Sequence, residues 1–140
     1  MKLIVCLDNN NAMAFHNRRQ SMDCVLRDRI VELVGESTFR LSEYSKKQFT
    51  ILPNKNCVSD DFLNLANVDD YCFAETADLT PYIAKVNELV IFRWNRRYPA
   101  DLYFPEDVFS ADFQKISVSN FTGKSHKMIT QEVYSRCENA

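Results

Sequence analysis

The chain has 140 residues, of which 46% are hydrophobic and 26% are charged, and its formal net charge at pH 7 is −2. This composition is ordinary for a globular protein, the length suits one domain, and the negative balance excludes a generally basic protein that wraps nucleic acid. The apolar run from Leu3 to Leu7 is too short to cross a membrane. We therefore expect one domain over residues 1–140 without membrane contact, and composition leaves the oligomeric state open.

Five cysteines are spread along the chain, at Cys6, Cys24, Cys57, Cys72 and Cys137, and none belongs to a CxxC pair. An odd number with wide spacing argues against a disulfide framework and against a zinc site. Three of them stand within apolar patterns, where a reduced thiol behaves as a small hydrophobic side chain. These observations predict a cytoplasmic protein without a bound metal.

Local patterns in the first two thirds of the chain predict strands that alternate with helices. Residues Lys2 to Leu7 read as an opening strand. Helical spacing of apolar residues begins after Ser21, a good N-cap, and stops at Gly35, a good C-cap, which predicts the first helix. The elements predicted next are, in order, a short element at 38–41, a helix at 42–47, a strand at 49–52 with a weaker candidate at 57–58, a helical turn at 60–65, a strand at 71–74 and a helix from Thr80 to about Val86.

The stretch from Glu88 to Pro99 is the most informative part of the sequence. Its first half is wholly apolar, as in a central strand of a parallel sheet that is buried on both faces. Its second half brings three arginines together with Trp94 and Tyr98. Two later runs, at 113–121 and 127–136, keep a period of about two and predict an antiparallel hairpin. The patterns together predict an α/β fold, a three-layer sandwich with a mixed, mostly parallel sheet and a C-terminal antiparallel hairpin.

A ligand site is predicted where the parallel strands end, because the loops at the carboxyl ends of such strands form a binding crevice. The candidate residues at this edge are Asp8, Asn9, Arg18, Arg19, Arg93, Trp94 and Arg96, with Lys124 from the hairpin turn. Guanidinium groups beside an indole bind phosphate and stack on bases, which predicts an anionic ligand, either a nucleotide or RNA. In the alternative interpretation, the arginines pair with the acids of residues 57–78 and with Asp101, and the tryptophan caps the core.

Three further side chains have both a functional and a structural interpretation. His126, in a lysine-rich turn, is a general acid or base, a phosphate ligand, or an ordinary surface residue. Asp23 either binds a cationic or amide-bearing ligand or forms an i,i+4 salt bridge with Arg27. Asp8 either contacts a ligand or stabilises a turn. No Ser-His-Asp set, glycine-rich phosphate loop or metal-ligand spacing is recognisable in the sequence.

Three segments, Leu3–Asn10, Leu102–Pro105 and Val133–Arg136, resemble the dihydrofolate reductase family. The resemblance implies that family's topology for most of the chain, and it places Asp23 near the family's substrate-binding acid. The glycine pair that such a reductase needs near the pyrophosphate of its nicotinamide cofactor is absent, because the corresponding turn reads Phe73-Ala74-Glu75-Thr76-Ala77-Asp78. The resemblance therefore implies a reductase-like shape, and we expect no cofactor.

Four other segments, Asn17–Ser21, Arg93–Arg96, Tyr98–Asp101 and Gly123–Lys127, resemble a family of short proteins from Gram-positive bacteria that is often labelled ribonuclease Z. That name belongs to metallo-β-lactamase enzymes, which hold two zinc ions with a dense set of His and Asp side chains. This chain has two histidines, His16 and His126, which excludes the zinc mechanism. The resemblance implies RNA as a ligand to test.

Three hypotheses follow from these patterns. The first is a binding protein without catalysis that takes a nucleotide or RNA at the edge formed by the arginines and Trp94. The second is a metal-independent RNA phosphodiesterase, with His126 as acid or base and with Arg93, Arg96 and Lys124 stabilising the charge of the transition state. The third is a divergent reductase.

Overall fold

The computed structural model describes residues 1–137, apart from the side chains of residues 108 and 109. Along this part of the chain the strands are β1 (Lys2–Leu7), β2 (Ala12–Phe15), β3 (Arg18–Arg19), β4 (Phe39–Leu41), β5 (Asn56–Val58), β6 (Tyr71–Phe73), β7 (Glu88–Arg93), β8 (Leu102–Tyr103), β9 (Phe113–Phe121) and β10 (Ile129–Arg136). The helices are α1 (Cys24–Val34), α2 (Glu43–Lys46), α3 (Phe62–Leu65) and α4 (Glu106–Asp112), with a 3₁₀ helix at Thr80–Lys85. Within residues 1–137, no helix has the length and apolar character needed to span a bilayer.

Seven strands form the main sheet, in the order β5-β4-β6-β1-β7-β10-β9. The first five strands of this order run parallel, whereas β10 is antiparallel to both β7 and β9. The predicted α/β fold, with a mixed, mostly parallel sheet and an antiparallel C-terminal hairpin, is therefore confirmed. Because β1, β6 and β7 are parallel, their carboxyl ends meet at one edge, as the sequence predicts.

Alternate residues of the central strands face two separate apolar clusters. Leu3 and Val5 of β1 belong to the cluster that contains Ile83 of the 3₁₀ helix. Ile4 belongs to the cluster on the opposite face, which contains Ile30 of α1. Burial of each such side chain contributes roughly 1.5–3 kcal/mol, so both faces of the sheet hold the layers together.

A second, smaller sheet has the order β3-β2-β8 and is antiparallel. Strands β2 and β3 form a hairpin whose two-residue turn, His16-Asn17, has φ angles of 49° and 62°. Two successive positive φ values are typical of a type I′ turn, whose twist suits the strands that it joins. Phe15 pairs directly with Arg18 across this hairpin. The two side chains therefore lie on the same face.

The predicted N-cap of the first helix and the predicted strand at 49–52 are wrong. Helix α1 takes Asp23 as its N-cap in place of Ser21, because the Asp23 carboxylate accepts a hydrogen bond from the first turn. Residues 49–52 form no strand, and Phe49 packs edge-on against Phe39, with ring centroids 5.7 Å apart. The apolar side chains Phe49 and Leu52 of that segment pack against the core instead of pairing in a sheet.

The C-terminal hairpin places β10 inside the sheet and β9 at its edge. Ile129 of β10 is fully buried, whereas Ile116 and Val118 of β9 are 59% and 52% exposed. The period of about two over residues 113–121 suggests a half-buried strand, but these two apolar side chains are exposed on the edge strand. Only the inner strand of this hairpin carries much of the core.

Candidate functional site

Arg93 is held by an acid of the neighbouring strand. Its Nε donates to Glu132 Oε1 at 2.8 Å, and its Nη1 donates to Asn11 Oδ1 at 2.6 Å. Burial acts to raise the pKa of Glu132, but the hydrogen bond and positive charge of Arg93 outweigh it and lower that pKa. This geometry corrects the expectation that Arg93 faces an open anion site. Arg93 forms an ion pair, as in the alternative interpretation. Its partner is Glu132 of β10, however, and not one of the acids of residues 57–78.

Trp94 lies inside the protein, with 3% of its surface exposed. Its indole stacks on the ring of His126, with centroids 4.5 Å apart and planes at 29°. The expectation that Trp94 is an exposed platform for a nucleic-acid base is therefore wrong. The structure matches the alternative, in which the tryptophan caps the core. Arg96 and Asn9 are exposed beside it, joined by a hydrogen bond from the Asn9 N–H to the Arg96 carbonyl.

Asp23 and His126 form a buried pair, with side chains 0% and 2% exposed. His126 Nδ1 lies 2.9 Å from Asp23 Oδ2. The same carboxylate accepts the backbone N–H groups of Val25, Lys124 and Ser125, each at 2.9 Å. Burial by itself would raise the pKa of Asp23, but these hydrogen bonds lower it well below its ordinary value. Asp23 is therefore ionised, and donors of the chain itself surround it.

This network changes the roles predicted for its members. No ion pair joins Asp23 to Arg27 in the part of the chain that the structure describes. His126 is a buried residue that ties the turn of the C-terminal hairpin to the start of α1, so the expectation of an ordinary surface residue is wrong. Lys124 contributes its backbone N–H, and its side chain is exposed.

Gly123 allows the hairpin turn to approach Asp23. A Cβ at this position would lie 2.6 Å from Asp23 Oδ2 and 3.0 Å from Ile129 Cδ1. Both separations are shorter than ordinary contact, so a side chain here pushes the turn away from the carboxylate.

Gly123→Ala is therefore expected to lower the free energy of unfolding by about 1–3 kcal/mol, the usual cost of an overpacked site. Urea denaturation followed by circular dichroism measures this. Thr122→Ala, at the exposed preceding residue, is the control and should change stability by less than about 0.5 kcal/mol. Equal losses in the two variants would contradict the packing argument.

The second ring nitrogen of His126 meets two hydroxyl groups. Nε2 lies 3.0 Å from Ser21 Oγ and 3.1 Å from Tyr98 Oη. Because the ionised Asp23 favours a proton on Nδ1, Nε2 is the acceptor of the neutral ring. Ser21, His126 and Asp23 thus follow one another in the order of a Ser-His-Asp triad. The sequence patterns do not reveal this set because Ser21 and His126 are 105 positions apart.

A cleft of about 530 Å³ opens beside this cluster, between the β2–β3 hairpin and the segment Tyr98-Pro99. We call it the hairpin cleft; its walls are formed by Phe15, His16, Arg18, Arg19, Gln20, Tyr98 and Pro99. Arg18 is exposed, and no carboxylate in residues 1–137 pairs with it. Gln20 Oε1 is buried and lacks a hydrogen-bond partner among the described groups.

Asp8 stabilises the loop that carries the cleft. Its buried carboxylate accepts the backbone N–H groups of Asn10, Ala12 and Tyr98 at 2.8–3.2 Å. It also accepts Gln20 Nε2 at 3.0 Å. Of the two roles predicted for Asp8, the geometry matches the turn stabiliser.

Arg19 is fixed by Glu75 at the end of β6. Its Nε and Nη2 donate to the two Glu75 oxygens at 2.9 and 3.2 Å, and its guanidinium lies 4.2 Å from the Tyr44 ring centroid. Glu75 is 8% exposed and also accepts Ser45 Oγ and Gln48 Nε2, each at 2.8 Å. This network occupies the turn where a reductase needs glycines, and a buried carboxylate repels a pyrophosphate. The residues present do not fit the nicotinamide cofactor that the resemblance to the reductases implies, so we derive no hydride step.

The side chains of the described residues also bear on whether the chain can bind a metal ion. Among residues 1–137, no three His, Cys, Asp or Glu side chains lie close enough together to hold a metal ion.

Comparisons with known proteins concern the fold. The chain is similar to a solved dihydrofolate reductase from Enterococcus faecalis, complexed with NADP(H) and RAB-propyl, with a TM-score of 0.69. The match covers 98% of this chain and 96% of that chain at 12% identity. No family model and no curated protein matches the sequence, so the relation to the proteins labelled ribonuclease Z stays a prediction. At this identity the likeness shows the architecture alone, and the chain has a dihydrofolate-reductase-like fold.

Proposed function

We propose that the chain binds a small anionic ligand, a nucleotide, in the hairpin cleft. The observation that carries this proposal is the guanidinium of Arg18, which is free of any described carboxylate at the wall of a cleft of about 530 Å³. Sites for small molecules usually measure roughly 300–1,000 Å³. Arginine suits phosphate because its planar fork donates two parallel hydrogen bonds. We therefore place the proposed anion site at Arg18, because Arg93 is already paired with Glu132.

The other walls of the cleft supply what a nucleotide needs besides charge. Phe15 and Tyr98 are aromatic, and a base that stacks on such a ring gains about 1–3 kcal/mol. Gln20 Oε1 is an acceptor without a donor, a state that costs about 1–3 kcal/mol when the atom is buried. An N–H of a base or an O–H of a sugar would remove that cost. Phosphate, base and hydrogen-bond donor occur together in a nucleotide.

The hairpin is held before the ligand arrives. The Arg19–Glu75 ion pair and the type I′ turn fix β3, which carries Arg18. A wall that is ordered in the free protein loses little entropy on binding, which favours affinity.

The two alternative hypotheses rest on weaker observations. The phosphodiesterase requires Arg93 to stabilise the charge of the transition state, but Arg93 is already paired with Glu132. The reductase agrees with the fold, but Glu75 occupies its cofactor turn. A cytoplasmic location is part of the proposal, since all five cysteines are unpaired, as is usual in a reducing compartment.

Arg18→Ala is expected to weaken the binding of nucleoside 5′-monophosphates about 10- to 100-fold, because charge-assisted hydrogen bonds contribute about 1.5–3 kcal/mol. Isothermal titration calorimetry with the four common monophosphates measures the dissociation constants. Lys55→Ala removes one exposed positive charge next to the edge strand β5 and is the matched control, with affinity unchanged.

Saturable binding that is lost in Arg18→Ala and kept in Lys55→Ala supports the proposal. Absence of binding by the native protein, or equal affinity in both variants, refutes it. Binding of single-stranded RNA without binding of mononucleotides would replace the nucleotide by RNA.

A further inference from the structure

Three side chains behind Tyr98, a wall residue of the hairpin cleft, are connected in the order that activates a serine. Ser21 Oγ is 3.0 Å from His126 Nε2, and His126 Nδ1 is 2.9 Å from Asp23 Oδ2. In serine hydrolases the carboxylate holds the imidazole with its proton on Nδ1, so that Nε2 can take the proton of the serine. Both contacts needed for that transfer are present here.

The histidine of this set is held in one orientation. Trp94 covers one face of its ring at 4.5 Å, and Asp23 fixes Nδ1 from inside the protein. Nε2 is therefore directed at the hydroxyls of Ser21 and Tyr98 and at no other described side chain. An oriented base next to a hydroxyl is the geometric sign of an activated nucleophile.

The hydroxyl end of the set lies next to the cleft. Ser21 is half-buried and directly follows Gln20, a wall residue of the cleft. Tyr98, which shares Nε2 with Ser21, is also a wall residue. A ligand that contacts the Tyr98 hydroxyl would therefore lie near His126 Nε2 and Ser21 Oγ, while Asp23 stays shielded from water.

We propose that Ser21 is a nucleophile that cleaves carboxylic esters bound in the hairpin cleft. Ser21 Oγ forms a bond to the ester carbonyl carbon as its proton moves to His126 Nε2. His126 then gives this proton to the departing alcohol oxygen as the ester C–O bond breaks, leaving an acyl-serine. Water repeats the sequence on the acyl-serine, which releases a carboxylic acid and restores Ser21. Once Nε2 has taken the serine proton it no longer accepts from Tyr98, whose O–H would then donate to the carbonyl oxygen in each half of the reaction.

The substrate class follows from the charge of the cleft, and this part rests on the proposed function. Arg18 is the cation available to a ligand, so the ester would carry a phosphate or carboxylate group. The reactivity of Ser21 itself does not depend on that group.

A fluorophosphonate that bears a fluorescent tag tests the nucleophile directly, because it carries no anionic group for Arg18. Ser21 Oγ would displace fluoride from phosphorus, and the labelled residue is identified by mass spectrometry of peptides. We expect labelling of the native chain at Ser21, none at this position in Ser21→Ala, and a rate lower by at least about 100-fold in His126→Gln. Ser117→Ala, at an exposed serine of β9, should label like the native chain.

Asp23 acts through His126 and is a positioning residue. In Asp23→Asn, the shape of the labelling rate against pH should change, because the negative charge 2.9 Å from His126 Nδ1 is removed. A variant that had only lost stability would keep the native profile at lower amplitude. Circular dichroism confirms which variants are folded, and Ser21→Ala, the smallest change, keeps the test decisive if the others unfold.

Absence of labelling at Ser21 in the folded native chain would overturn the inference, as would an unchanged rate in folded His126→Gln. The outcome is independent of nucleotide binding. Labelling without nucleotide binding would refute only the proposed function, and nucleotide binding without labelling would refute only the nucleophile.

Discussion

Asp23→Ala is expected to lower the free energy of unfolding by about 3–5 kcal/mol, which is the usual cost of removing one partner from a buried charged network. The substitution removes the N-cap of α1 and leaves the N–H groups of Lys124 and Ser125 without their acceptor. It also removes the carboxylate that His126 Nδ1 contacts at 2.9 Å and leaves this nitrogen only the Ser125 hydroxyl, at 3.2 Å, among the described groups. Urea denaturation measures the loss. Asp28→Ala, at an exposed position of the same helix, is the control and should cost less than about 1 kcal/mol.

The pH dependence gives the same network a second test. The folded-state pKa of Asp23 lies below the roughly 3.9 of an unfolded aspartate. Its ionised form therefore stabilises the fold above that value, and the stabilisation is lost as the pH falls towards the folded-state pKa. The difference in unfolding free energy between the native chain and Asp23→Asn should shrink as the pH falls below about 4. A difference independent of pH down to 2 would refute the ionised network.

Glu75→Ala is expected to cost about 2–4 kcal/mol, because it leaves the Arg19 guanidinium, the Ser45 hydroxyl and the Gln48 amide without their shared acceptor. Denaturant unfolding measures the loss. Glu75→Gln keeps the shape and part of the hydrogen bonding, so its loss should be clearly smaller. Glu32→Ala, at an exposed acid of α1, should be near neutral. Similar losses in Glu75→Ala and Glu32→Ala would show that the buried network does not stabilise the hairpin.

The elements predicted correctly from the sequence are those whose signal is local. β1, α1 and β7 match their apolar spacing, because burial of these same residues determines both the pattern and the structure. The hairpin of β2 and β3 was missed because β3 has two residues and its turn, His16-Asn17, lacks glycine. Short strands and glycine-free turns leave little trace in a sequence.

The site was predicted only in part, since its contacts join distant positions. The pairs are Asp23–His126, Arg19–Glu75 and Arg93–Glu132, separated by 103, 56 and 39 positions. The sequence shows which side chains are arginines, but the partner of each depends on the packed sheet. Arg18 and Arg93 look alike in the sequence, and the structure leaves the first open and neutralises the second. The roles of Glu132, Tyr98 and Ser21 likewise depend on contacts with residues that are distant in the sequence.

The position of β10 has a consequence for how the protein is made. This strand follows all the other described strands in the chain, yet it lies between β7 and β9. While the polypeptide leaves the ribosome, β7 therefore displays a row of unpaired N–H and C=O groups, the type of edge on which chains aggregate. His126 is synthesised 103 residues after Asp23, so the Asp23 carboxylate lacks this partner until that much more of the chain has been made. Completion of the sheet and closure of the buried network are thus late, coupled events, as expected for a topology rich in long-range contacts.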